Sequence, residues 1–99
     1  MRERISNIHK AVEKQAGRAT HVRSAPVNEQ FEGQTVWEGV VEVFDLHEHP
    51  KAKRAYGWQR WDNDLKQYTV VLEIPPVDSP ENAVRAAIVA EETRIQFGG

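Results

Sequence analysis

The chain has 99 residues, 39% of them apolar and 28% charged, with a formal net charge of −2. These totals fit one globular domain over residues 1–99 with one modest core, and they exclude a global pull toward nucleic acid or acidic membranes. Cysteine is absent, which excludes disulfides, thiolate catalysis and cysteine-based zinc sites and fits a reducing compartment.

Residues 3–16 read as a helix. Ile5, Ile8 and Val12 fall at i, i+3 and i+7 and share one face, and Gly17 supplies a stop. The stripe is narrow, so this helix is expected to pack on something larger. The opening stretch MRERISNIHKAVEKQ lacks the apolar core of a signal peptide. No run approaches the roughly 18 apolar residues of a membrane span. The expectation is a cytoplasmic protein with no membrane partner.

Residues 19–27, ATHVRSAPV, alternate weakly, and Pro26 restricts any strand there to an edge. Residues 28–35, NEQFEGQT, read as a polar loop. Residues 35–46, TVWEGVVEVFDL, form the best strand by composition. Trp37, Val41 and Val43 point one way. Val36, Val40, Phe44 and Leu46 point the other, sharing that face with Glu38 and Glu42. Apolar residues on both faces predict a central strand.

Residues 53–61 read as a further strand, with Arg54, Tyr56, Trp58 and Arg60 on one face and Ala55, Gly57, Gln59 and Trp61 on the other. Asp62, Asn63 and Asp64 supply turn chemistry. Residues 66–74, KQYTVVLEI, alternate cleanly and complete an antiparallel hairpin. Pro75-Pro76 ends it. In DSPENAVRAAIVAEE, Ser79 is a candidate N-cap and Pro80 suits the first helical position. Val84, Ala87, Ile88 and Ile95 make its apolar stripe, and Gly98-Gly99 ends the helix. The predicted fold is α+β: an antiparallel sheet of three to four strands, with N- and C-terminal helices packed on one face.

The chemistry concentrates in residues 49–61, HPKAKRAYGWQRW, where Lys51, Lys53, Arg54 and Arg60 surround Tyr56 and Trp58 with no acid among them. Tryptophan, tyrosine and arginine are enriched at interface hot spots. An exposed face carrying Lys51, Lys53, Arg54, Tyr56, Trp58 and Arg60 would bind a protein partner, a second copy included. The alternative is a single-stranded nucleic acid, with phosphates on the cations and bases stacked on the aromatics. The order helix, three strands, helix is also that of double-stranded RNA-binding domains. The acidic start of the second helix, DSPENAVR, argues against duplex RNA. Glu38 and Glu42 could instead pair with Arg54 and Arg60 across the sheet.

His47 and His49 share a strand face and form a candidate metal pair for a small metal-dependent enzyme, short of the three or four ligands a stable site needs. Glu38 and Glu42 lie about 13 Å apart by strand rise, too far for paired-carboxylate catalysis. No serine sits in a nucleophile motif, and no glycine-rich phosphate loop occurs. The expectation is a non-enzymatic binding module without cofactor.

Two stretches carry a resemblance. HPKAKRAYGW and LEIPPVDSPENAVRAAIVAE, preceded by VWEGVVEVF, resemble a family of short uncharacterised bacterial proteins that pair an HPxAxRxYxW segment with a PPxxSPxxAVRAAI segment. The resemblance spans about residues 35–92. It implies a bacterial, cytoplasmic, stand-alone small protein, and no activity, cofactor or site residue.

Overall fold

The computed structural model describes residues 3–98, with the side chains of residues 62 and 92–98 set aside. Its elements are α1 (Glu3–Ala16), β1 (Ala19–Phe31), β2 (Gln34–Leu46), β3 (Arg54–Asp62), β4 (Leu65–Leu72) and α2 (Pro80–Gly98). The strands form one antiparallel sheet in the order β1-β2-β3-β4, so the fold is α+β. The Ile95 side chain and Gly99, expected on the stripe and at the end of α2, lie outside the described residues.

The helices divide between the two faces of the sheet, which corrects the expectation that both share one. Ile8 and Val12 of α1 pack with Phe44, Ala55 and Ala19. Ala83 and Val84 of α2 pack with Val41, Val43, Tyr56 and Trp58. Neighbouring residues on a strand point to opposite faces, so Phe44 and Val43 belong to different cores. Val41, Glu42, Val43 and Phe44 are therefore buried in succession. A strand apolar on both sides needs cover on both sides, and each helix supplies one.

The hairpin ends are longer and tighter than the polar composition of residues 28–35 predicts. β1 runs on to Phe31 and turns at Glu32 and Gly33, both with positive φ, into β2. Asn63 and Asp64, also at positive φ, turn β3 into β4. Two successive positive-φ residues make the tight turn whose twist matches a hairpin. Pro26 lies on β1, an edge strand, where a sheet tolerates proline.

β2 and β3 pair only from Glu42–Gly57 to Asp45–Arg54. Beyond Glu42 the two hairpins part. Trp37 and Trp58 meet edge to face across the gap, with ring centroids 5.6 Å apart. Gly39 leaves room for the Trp37 indole, because a Cβ there would stand 2.9 Å from the ring.

The caps behave as read. Gly17, at φ 86°, ends α1, and its N–H donates to the Glu13 carbonyl at 3.0 Å. Ser79 Oγ accepts from the Asn82 N–H at 3.1 Å and caps α2.

Gly57 lets α1 lie close to the sheet. A Cβ at this position would stand 2.8 Å from Ile8 Cγ2 and 3.3 Å from Val12 Cγ2. Gly57→Ala is expected to cost about 1–3 kcal/mol through overpacking. Chemical denaturation checks it, and an unchanged midpoint would contradict the packing described.

Candidate interaction surface

The face carrying Arg54, Tyr56, Trp58 and Arg60 is covered by α2. Trp58 is 3% and Tyr56 1% exposed, so both belong to the core rather than to a docking surface. Arg54 and Arg60, on either side of them, predict an exposed face instead. The Tyr56 hydroxyl donates to the Glu73 carboxylate, which satisfies its polar end. Burial first, and then that hydrogen bond and the Glu73 charge, push the phenol well above its ordinary value. A tyrosine with a raised folded pKa stabilises the fold fully below about pH 10 and loses that contribution as pH rises. In a Tyr68→Phe variant, tyrosinate absorbance at alkaline pH is expected to appear only as the chain unfolds. Absorbance rising through pH 10 in the folded protein would contradict this burial.

The four cations do not converge. Lys51 and Lys53 are exposed in the loop before β3. Arg54 Nε donates to Asp45 Oδ1 at 3.2 Å on the neighbouring strand. Arg60 lies six residues further along, about 20 Å away by strand rise. The suggested pairing of Glu38 and Glu42 with Arg54 and Arg60 does not occur, because the acids lie on the α1 face and the arginines on the α2 face. Glu38 instead accepts from Asn28 Nδ2 at 3.1 Å.

Glu42 is fully buried beneath α1. Its carboxylate accepts from Arg4 Nη2 at 2.7 Å, His21 Nε2 at 2.8 Å and Ser24 Oγ at 2.5 Å. Burial pushes its pKa up, but the hydrogen bonds from Ser24, Arg4 and His21, with the Arg4 charge, outweigh burial and hold it below the ordinary carboxylate value. Ser24 and His21 both donate to this carboxylate, so the three do not form a relay from serine through histidine to acid. The cluster ties α1 to β1 and β2.

The histidine pair is engaged in loop contacts. His47 Nε2 lies 2.6 Å from Thr20 Oγ1. His49 Nδ1 accepts the Lys51 and Ala52 N–H groups at 3.1 and 2.9 Å. No group of three or more potential metal ligands occurs among the described residues. No helix among them is long and apolar enough to cross a membrane.

A groove of ≈ 970 Å³ runs between α2 and the parted strands, with Trp37, Trp58, Val71, Val84 and Ile88 among its lining. Its lining is mixed, since Arg60, Gln67, Thr69 and Glu91 share it with the apolar residues.

The open surface lies on the other side of the sheet. α1 covers the level of Gly57, where Ile8 and Val12 sit. Further along the strands the same face is bare. Trp61 is 67% and Val40 40% exposed, and Tyr68 is also exposed. Lys66 Nζ sits 5.3 Å from the centre of the Trp61 ring. Exposed apolar residues scattered singly are ordinary, whereas these share one sheet face. The register assigned Trp61 to the face opposite Trp58. What it lacked was the position of α1, and the small residues Ala55 and Gly57 carried that signal: they are where a helix can come close, and Trp61 lies beyond them.

Comparison with family models, with curated proteins and with solved structures gives no match. The functional reading therefore rests on this geometry.

Proposed function

We propose that the chain is a non-enzymatic, cytoplasmic protein-binding module whose contact surface is the uncovered end of the α1 face, centred on Trp61. The observation that carries this reading is the exposure of Trp61, Val40 and Tyr68, which the strand register puts on one sheet face. An aromatic anchor within an apolar patch, rimmed by charge, is the composition of an interface centre. The rim is balanced, with Glu38 on β2 and Lys66 on β4. That balance favours protein over nucleic acid, since an acid within the patch repels phosphate. The nucleic-acid alternative also loses the stacking platform it needed, because Tyr56 and Trp58 are buried.

A photo-reactive amino acid at position 61 tests this reading in cells that produce the protein. Crosslinks to protein are expected from position 61 and not from position 53, and Val40→Asp should suppress them. Adducts from position 53 with none from position 61 would overturn the reading.

A further inference from the structure

The register of the strands says more about this surface. Glu42, Gly57 and Val70 lie at one level across β2, β3 and β4. Moving four residues outward on each strand keeps the face and reaches Glu38, Trp61 and Lys66; Trp61 and Lys66 are themselves a register pair. The row therefore reads acid, tryptophan, lysine from β2 to β4. Two residues nearer to α1, Val40 on β2 and Tyr68 on β4 hold the corresponding places. The hairpins part here, which widens the row without changing its order.

We propose that the partner of this surface is a second copy of the chain, packed against the outer ends of the strands about a two-fold axis that runs along them, with the two sheets splaying apart toward Gly57 so that each α1 clears the other. The inference rests on the protein-binding reading above and names its partner. A rotation about that axis exchanges the β2 side with the β4 side and keeps each level. Glu38 of one copy then faces Lys66 of the other, and the reverse contact follows by symmetry. Trp61, on the middle strand, meets its own counterpart beside the axis. A surface with acid on one side, cation at the same level on the other and an aromatic between them is complementary to itself. A row of like charges would not be. Neither Glu38 nor Lys66 takes part in an ion pair among the described residues. Each charge is therefore available to a partner. The pairs lie at the rim, so they fix register and orientation, while the apolar centre supplies affinity.

Sedimentation velocity over a range of concentrations tests the proposal. The protein is expected to dimerise. Glu38→Lys and Lys66→Glu, each placing like charges at both ends of the row, are expected to weaken the dimer about tenfold or more. An equal mixture of the two variants should recover dimer, because every contact in the mixed pair is again opposite in sign. Trp61→Arg, which puts two cations beside the axis, is a further variant that should dissociate it. A protein that stays monomeric throughout would overturn the proposal. So would a dimer indifferent to all three substitutions. Self-pairing and the parent reading fail separately: a monomer that still yields crosslinks from position 61 to another protein refutes only the self-pairing, whereas a monomer without such crosslinks refutes both.

Discussion

Trp58→Ala is expected to destabilise the fold by about 3–5 kcal/mol, the cost of emptying a large aromatic site in a packed core. A domain of this size has roughly 5–15 kcal/mol to lose, so the variant stands near the edge of folding. Trp58 joins both halves of the α2-side core, packing in one cluster with Val41 and Val43 of β2 and Val84 of α2. It also meets Trp37 across the gap between the parted strands. An edge-to-face aromatic pair adds about 0.5–1.5 kcal/mol beyond the area it buries. Truncation removes the only contact of that kind across the gap among the described residues, so the hairpins should separate further as well. Trp61→Ala, three residues away, is expected to change stability by no more than about 0.5 kcal/mol, as at other exposed sites. Paired denaturation curves check both values. A mild Trp58→Ala, or a severe Trp61→Ala, would mean that the helices cover the sheet differently.

Glu42→Gln is the second large effect, with an expected loss of about 3 kcal/mol at neutral pH. The carboxylate is buried and accepts three hydrogen bonds, from Arg4, His21 and Ser24. An amide keeps the shape but turns one acceptor into a donor, so at least one of those donors meets an N–H instead of an oxygen. It also leaves Arg4 without its counter-charge. Arg4 is partly exposed and can turn to water, which places the loss at the lower end of what breaking a buried ion pair costs. The pH dependence follows from the lowered carboxyl pKa. A depressed folded pKa gives stability that is fully present above the unfolded value, 4.5, and is lost as pH falls through the folded value. The gap between wild type and Glu42→Gln should hold at neutral pH and close below pH 4.5. A gap that stays constant into strong acid would show that the charge of Glu42 contributes nothing to the fold.

Much of the architecture was legible because it rests on local rules. The narrow stripe of Ile5, Ile8 and Val12, the Ser79 cap and the alternation in KQYTVVLEI each follow from spacing. The faces of the strand at residues 53–61 were also readable, and Trp58 and Trp61 lie on opposite sides as their parity requires. What spacing leaves open is which face a helix covers. Arg54 and Arg60 made the Tyr56–Trp58 face look wet, yet α2 lies over it, and the arginines stand at its two ends. Polarity misled again at residues 28–31, where Glu29 continues β1 by burying its carboxylate against Arg85 of α2. That contact spans 56 residues of sequence and has no local signature. Glu42 was missed as a buried site for the same reason. Its partners come from α1 and β1, and an acid with distant partners looks in sequence like any solvated glutamate.

Trp61, not Trp58, is the tryptophan that solvent reaches. Fluorine resonances of 5-fluorotryptophan, assigned through single Trp→Phe variants and recorded in dilute protein with a soluble paramagnetic reagent, test this most directly. The Trp61 resonance should broaden strongly while that of Trp58 stays sharp. Equal broadening of the two, or a sharp Trp61, would contradict the surface proposed here.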